Sequence, residues 1–331
     1  MKFPFYTGKP ENRQPRPAEL PISRRAGHED PAGYLPDLGL VDAVNVALLL
    51  GQPLLLTGEA GTGKTQLAYS VAWELGFDEP LKFETKSTST SRELFYTYDT
   101  LGRFHAAQTG EGSQNSLDYL TYNALGLAIL RANEKATVAP WLPKDFKHDG
   151  MAKRSVVLID EVDKAPRDFP NDILNEVEGM YFKIPELRNM KIAADASMRP
   201  ILVITSNSEK HLPDAFLRRC IYYNIPFPDE KRLTQIITAR LGRFTGGSSQ
   251  MLDDALDLFF TLRRPDSGLH KKPATAELLG WLLVLREMGG DGENPLRQAP
   301  ERIASSLNTL VKTAEDQERA KTVLDGWLRK S

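Results

Sequence analysis

Residues 58–65 read GEAGTGKT, in which two glycines, a lysine and a threonine have the spacing of a phosphate-binding loop. Glycines let the backbone curl so that successive N–H groups point at phosphate oxygens. The lysine adds a positive charge for the outer phosphates, and the threonine hydroxyl offers a hard oxygen for Mg²⁺. The segment therefore predicts a nucleoside triphosphate site. Its predicted ligands are Gly58, Glu59, Ala60, Gly61, Thr62, Gly63, Lys64, Thr65 and Gln66.

Two adjacent acids follow an apolar run in VVLIDEVDKA, residues 156–165. The run predicts a buried strand, so Asp160 and Glu161 would emerge at its carboxyl end, where ligand sites of open parallel sheets lie. Asp160 could hold Mg²⁺ through water, which makes Thr65 and Asp160 the predicted metal residues. Glu161 could orient and polarise an attacking water. The alternative is that the two acids simply end a strand.

Further polar groups stand after two later apolar stretches. ILVITSN ends at Asn207, whose amide could contact the terminal phosphate or the water, or could simply cap a turn. LPDAFLRRC reads as a short helix that ends in Arg218 and Arg219 and runs into a strand. Two adjacent guanidiniums could face solvent, a phosphate of this chain or a phosphate held by another copy.

Apolar strands alternate with helices from residue 53 to Pro228, which predicts an α/β domain with a mostly parallel sheet. Residues 115–133 have apolar residues at helical spacing and predict one long helix. After Pro228 the pattern is helical only. The predicted organisation is an extended arm at 1–36, an α/β core at 37–228 with an insert at about 85–110 and a hairpin at about 180–200, and a helical lid at 229–331.

Composition restricts the function classes. The chain has 331 residues, with 42 basic and 44 acidic side chains. This balance makes a nucleic-acid partner unlikely from charge alone. The single cysteine, Cys220, fits a reducing compartment. The amino-terminal segment does not read as a secretory signal, and apolar runs are too short to span a bilayer. We expect a cytoplasmic protein without membrane insertion.

The order of these motifs resembles that of the AAA+ ATPases. The finer details, LIDEVDKAPRDFPNDILNEVE, the insert, the hairpin before ILVITSN and the segment LPDAFLRRC, resemble the MoxR branch. The resemblance implies a P-loop core with a five-stranded parallel sheet and a helical lid, with ATP and Mg²⁺ as ligands. It implies that Asp160 helps to bind Mg²⁺ and that Glu161 promotes hydrolysis. It also implies that Asn207 is the first sensor and Arg219 the arginine finger.

Two positions depart from the family pattern. Arg218 stands where many relatives have an acidic or polar residue, and it could make a second contact with a neighbouring subunit or pair with an acid there. The second sensor is usually an arginine at the start of a lid helix, but Pro273 aligns there. Lys272 or Lys271 could substitute, although a lysine is not a bidentate phosphate ligand.

The resemblance also implies an ATP-driven ring, commonly a hexamer, that remodels or activates a protein client, often with a partner bearing a von Willebrand A domain. Two other functions stay open. One is a nucleotide-gated binding module with little turnover. The other is a nucleic-acid-associated motor, for which Lys183, Arg188 and Lys191 could form a basic stripe or only a solvated face.

Aromatic residues in the predicted insert have two interpretations. They could line a central pore and grip a client, or they could hold the insert together through cross-strand pairing, which we favour. The aromatics in question are Phe95, Tyr96, Tyr98 and Phe104. Asp163 could likewise face a neighbouring subunit or be an ordinary loop acid.

Overall fold

The computed structural model describes residues 30–110, 112–208, 212–242, 250–288 and 296–329. Two compact units share the chain. The first comprises Pro36–Glu59 and Gly63–Pro226, and the second comprises Phe227–Ser331 together with Met1–Leu35 and Ala60–Thr62, within the described ranges. Most of the arm predicted at 1–36 lies outside the described residues.

The first unit is built on a five-stranded parallel sheet whose strand order is β2-β5-β8-β1-β9. Two antiparallel pairs, β3-β4 and β6-β7, accompany it. The strands are β1 (Leu54–Thr57), β2 (Leu81–Glu84), β3 (Tyr96–Tyr98), β4 (Leu120–Tyr122), β5 (Val156–Asp160), β6 (Tyr181–Ile184), β7 (Met190–Ala193), β8 (Ile201–Thr205) and β9 (Ile221–Asn224). Every residue of β1 and β5 is buried, as expected for central parallel strands covered on both faces.

Helices surround this sheet and make up the second unit. Those of the first unit are α1 (Leu38–Leu50), α2 (Lys64–Glu74), α3 (Thr100–Thr109), α4 (Ala124–Arg131), α5 (Lys135–Val138), α6 (Phe169–Asp172), α7 (Leu174–Gly179) and α8 (Asp214–Leu217). Those of the second are α9 (Glu230–Leu241), α10 (Gln250–Arg263), α11 (Thr275–Glu287), α12 (Pro300–Ser306) and α13 (Ala314–Leu328). The predicted P-loop α/β fold with a helical carboxyl-terminal region is confirmed.

The prediction of one long helix at 115–133 is wrong. Its first half contains a turn of 3-10 helix and then strand β4, which pairs antiparallel with β3. Asn123 follows, and its side-chain amide donates to the Glu93 carbonyl at 2.7 Å before α4 begins. The segment LTY has β-branched and aromatic side chains that fit a half-buried strand, so pairing with β3 overrides the helical spacing.

Aromatic packing attaches the β3-β4 pair to the β6-β7 hairpin. Phe95 stacks on Phe182 with ring centroids 5.5 Å apart, and Tyr122 meets the same ring edge-on at 6.0 Å. Phe95 and Tyr96 are 4% and 1% exposed, so they are core residues rather than residues that could line a pore. Phe104 on α3 is 59% exposed and is outside this cluster.

The second unit has its own core, centred on the fully buried Trp281 of α11. The indole Nε1 donates to Ser306 Oγ of α12 at 2.8 Å, which satisfies the one polar atom of this side chain. Helix α9 begins after Asp229, whose carboxylate accepts the Arg232 N–H at 2.7 Å as an N-cap.

Candidate active site

The loop between β1 and α2 has backbone conformations that only glycine adopts easily. Gly58, Gly61 and Gly63 have φ of 138°, 77° and 91°. A side chain at these positions would strain the turn, which explains why the sequence has glycine there. The first helical residue after the turn is Lys64, so the amino terminus of α2 and its free N–H groups open directly onto the loop.

The Lys64 side chain lies inside this loop. Its ammonium donates to the carbonyls of Gly58 and Glu59 at 2.8 Å and 3.0 Å. Burial lowers the pKa of Lys64, and nearby carboxylates, led by Asp163, oppose that shift. Two backbone carbonyls of the loop thus hold the Lys64 ammonium in place. A bound phosphate can replace these carbonyls as the partner of the ammonium. Gln66, the third residue of α2, has a buried Oε1 without a hydrogen-bond partner among the described residues.

Thr65 and Asp160 come together across 95 residues of sequence. The Thr65 hydroxyl donates to Asp160 Oδ1 at 2.9 Å, and the Thr205 hydroxyl of β8 donates to the same oxygen at 2.7 Å. Asp160 is 8% exposed, at the carboxyl end of β5.

A hydroxyl beside a carboxylate is a set of hard oxygen ligands that fits Mg²⁺, which usually takes one or two protein carboxylates together with phosphate and water. No cluster of three or more His, Cys, Asp or Glu side chains that could hold a metal ion occurs within the described ranges. The pair formed by Thr65 and Asp160 offers one hydroxyl and one carboxylate of this donor chemistry.

Glu161 has an unusual backbone conformation, with φ of 56°. Its N–H donates to Thr205 Oγ1 at 2.9 Å, which holds the residue at the strand end in the left-handed region. Its Oε1 lies 3.4 Å from Asn207 Nδ2, and its Oε2 forms an ion pair with Lys164. Asn207 is fixed in turn, because its N–H donates to Asp163 Oδ1 at 3.1 Å. Residues at the carboxyl ends of the neighbouring strands β5 and β8 thus surround the Glu161 carboxylate.

Sequence reasoning missed Lys82, Lys164 and Thr205 as site residues. Lys82 Nζ lies 3.1 Å from Asp160 Oδ2 and 2.7 Å from Glu84 Oε1. The period-2 pattern of LKFE could have placed Lys82 and Glu84 on one face of β2, but only the register with β5 shows which face.

The two adjacent arginines differ in their surroundings. Arg219 Nε donates to Glu178 Oε2 at 3.1 Å, and its Nη1 donates to the Ala215 carbonyl at 3.0 Å. The Arg218 side chain is exposed and has no hydrogen bond or ion pair with any described residue. Burial raises the pKa of the neighbouring Cys220 thiol to about 12, which disfavours the nucleophilic thiolate at neutral pH.

Lys272 belongs to the second unit, where it is exposed and precedes α11 by three residues. The chain before it is held by Asp316, whose carboxylate accepts the N–H groups of His270 and Lys271 at 2.9 Å and 3.0 Å. The following residue, Pro273, is buried, and its carbonyl accepts from Arg263 Nη1 at 2.5 Å. The backbone around Lys272 is therefore fixed within its unit.

The sequence profile of the family described as "ATPase family associated with various cellular activities (AAA)" matches residues 54–228, more than half of the chain. The chain belongs to the AAA family. The matched range runs from the start of β1 to just past β9 and so contains the loop, both acids, Asn207 and both arginines. Membership in the AAA family implies nucleotide binding, typically together with Mg²⁺.

Other comparisons add less to this AAA assignment. No curated protein matches the chain significantly. Two solved structures of the Thermotoga maritima RuvB Holliday junction branch migration motor, one of them a single-residue variant, align at 13% identity and a TM-score of 0.38. The alignment covers 87% of this chain and 67% of theirs. Among the described helices of this AAA protein, none is long and apolar enough to cross a membrane.

Proposed function

We propose that this AAA protein is a Mg²⁺-dependent ATPase of the MoxR type that works as an oligomeric ring, a hexamer as is common among such ATPases, to remodel or activate a protein client. The observation that carries the proposal is the 2.9 Å hydrogen bond between Thr65 and Asp160. It joins the phosphate-binding loop to the acidic strand end, so that the lysine, hydroxyl and carboxylates serve one nucleotide.

Each residue in this arrangement has a definite task. The loop N–H groups and the Lys64 ammonium bind the phosphates of ATP, while Thr65 and Asp160 hold Mg²⁺. When bound, Mg²⁺ neutralises charge on the phosphate oxygens. The Glu161 carboxylate orients and polarises the attacking water, and Asn207 holds that carboxylate at the strand end. Catalysis is then mostly positioning and charge stabilisation, as is usual for phosphoryl transfer.

Two surface features support self-assembly. Helix α1 exposes apolar side chains: Leu38 and Leu49 are each 84% exposed, and Leu50 is 58% exposed. Arg218 and Arg219 lie at the surface, where they could reach a nucleotide held by another copy. We infer that Arg219 acts on the neighbour's site, as the finger of the MoxR segment does. A protein client and a partner with a von Willebrand A domain belong to the same proposal.

A nucleotide-gated binding module is the second candidate, and the Glu161–Lys164 ion pair favours it. A carboxylate paired with a lysine is less available to polarise water, so the resting protein would turn over slowly. The two candidates differ in turnover rather than in binding. Near-neutral composition gives no support to the third candidate, a nucleic-acid motor.

The deciding experiment measures light scattering and phosphate release for wild type, Lys64→Ala and Glu161→Gln, with and without Mg-ATP. We expect Glu161→Gln to retain ATP, to form the largest stable assemblies and to lose about 10²-fold or more in turnover. Lys64→Ala should bind no nucleotide and remain as in the ATP-free state. If the protein is monomeric in every condition, the ring mechanism is ruled out. If the wild type retains ATP without hydrolysing it, the binding module is favoured.

A further inference from the structure

Lys82 places a positive charge directly against the carboxylate that we assign to Mg²⁺. Its Nζ lies 3.1 Å from Asp160 Oδ2, and the two side chains are only 30% and 11% exposed. Asp160 Oδ1 is already used by Thr65 and Thr205. In this structure Lys82 is thus the partner of the remaining carboxylate oxygen, Oδ2.

The sheet register explains how Lys82 reaches this position. Strands β2 and β5 run parallel, with Lys82 opposite Leu158 and Glu84 opposite Asp160. Alternate residues share a face, so Lys82, Glu84 and Asp160 all lie on the face of the sheet to which α2 brings Thr65. Lys82 comes from the edge strand, and its long side chain extends along the sheet toward the strand ends.

Glu84 competes with Asp160 for the same ammonium. Glu84 Oε1 lies 2.7 Å from Lys82 Nζ, closer than Asp160 Oδ2, and its side chain is 70% exposed. One lysine is therefore shared between a solvent-facing carboxylate and the carboxylate of the candidate metal site. Removing Lys82 makes the electrostatic potential at Asp160 more negative. Removing the carboxylate of Glu84 makes that potential more positive.

We propose that Lys82 and Glu84 set the affinity of the nucleotide site for its divalent cation. This inference rests on the proposed function. The Lys82 ammonium neutralises the Asp160 carboxylate and repels a divalent cation that approaches it, so Lys82 weakens metal binding. Glu84 draws the ammonium away from Asp160 and so strengthens metal binding. Lys82 acts through Asp160 and is a positioning residue.

The test measures binding of a fluorescent ATP analogue to Glu161→Gln protein at a series of buffered Mg²⁺ concentrations. Adding Lys82→Met should lower the Mg²⁺ concentration of half-maximal effect about 3- to 10-fold, a range discounted for the partial exposure of the pair. Adding Glu84→Gln should raise that concentration, and the charge-conserving Lys82→Arg should leave it within about 2-fold. In EDTA, the affinity of the analogue should be the same for Lys82→Met and its parent.

Three results would overturn the inference: an unchanged midpoint in Lys82→Met, a shift in the same direction for Lys82→Met and Glu84→Gln, or weaker binding of the metal-free analogue to Lys82→Met. The last would mean that Lys82 contacts phosphate instead of tuning Asp160. If the parent binds no analogue at any Mg²⁺ concentration, the proposed function fails by itself. Free Mn²⁺ measured by electron paramagnetic resonance, with nucleotide-free wild type, Lys82→Met and Glu84→Gln, then tests the inference through the same opposite shifts.

Discussion

Arg219 Nε donates a hydrogen bond to Glu178 Oε2 at 3.1 Å, so the guanidinium at the end of α8 is paired with the carboxyl-terminal part of α7. The two side chains are 44% and 64% exposed, and such surface pairs contribute little stability, about 0–1 kcal/mol. Arg219 can therefore leave Glu178 for a phosphate at small cost. Arg218 needs no such release, because its side chain has no partner among the described residues.

Arg219→Ala should keep the affinity for ATP and lose about 10³-fold or more in turnover, if the arginine stabilises charge on a neighbour's phosphate. Equilibrium binding of a fluorescent ATP analogue and steady-state phosphate release measure the two quantities. Arg218→Ala is the matched control and should change turnover by less than about 3-fold, since an exposed side chain contributes little outside a specific contact.

Mixing Arg219→Ala with Lys64→Ala subunits tests whether the arginine acts between copies. Partial activity should return, from sites where an intact arginine meets an intact loop. Normal turnover in Arg219→Ala with loss in Arg218→Ala would show that the residue assignment is off by one. Activity that never returns in mixtures would argue for an arginine acting within its own chain.

Lys164→Met should raise basal turnover about 2- to 5-fold, because it frees the Glu161 carboxylate from the ion pair while Asn207 still holds it. The Michaelis constant for ATP should not change, since the ion-pair partner of Lys164 is Glu161 and not a residue of the loop. Lys164→Arg keeps the charge and should behave like wild type. A fall in turnover for Lys164→Met would instead give Lys164 a supporting role in the chemistry.

Local sequence patterns predicted the parts of this protein that depend on local rules. The loop GEAGTGKT and the all-apolar β5 have short-range requirements, namely positive φ at glycine and burial on both faces, and both are found. Strand β4 was missed because its segment also has helical spacing, and only pairing with β3 decides between them.

The ion pairs of Lys82 and Lys164 were missed for another reason. Lys164 stands three residues after Glu161 in the motif itself, but their pairing depends on the left-handed conformation of Glu161, which no sequence rule indicates. Lys82 meets Asp160 only through the register of two strands far apart in sequence. Contacts set by register and by unusual dihedral angles are global properties of the fold.

Phe182→Ala should destabilise the first unit by about 3–5 kcal/mol, because Phe182 is 1% exposed and packs against Phe95, Tyr96 and Tyr122. Urea unfolding followed by intrinsic fluorescence measures the change. Phe104→Ala is the control and should cost less than about 0.5 kcal/mol, since its ring is 59% exposed. If Phe104→Ala keeps stability and basal turnover but loses client-stimulated turnover, this one aromatic of the insert would gain a role in gripping a client.

Asp316 should make the second unit sensitive to acid. Backbone hydrogen bonds, first from His270 and then from Lys271, hold the pKa of this carboxyl below its ordinary value, against the opposing effect of burial. A lowered folded-state pKa means that the stabilisation is complete above the unfolded pKa, about 4, and is lost as pH falls through the folded pKa. Melting temperatures measured from pH 7 to pH 3 should show wild type losing stability below about pH 4.

Asp316→Asn should melt at a lower temperature than wild type at pH 7, because each carboxylate oxygen accepts one of these two N–H groups and an uncharged amide leaves only one oxygen to accept. The gap between the two proteins should narrow as the pH falls, since acid removes the same charge from wild type. Asp325→Asn, at an exposed position of the same helix, should match wild type throughout. A constant gap at every pH would mean that Asp316 stabilises by shape and hydrogen bonding alone, and that its charge does not hold the segment before Lys272.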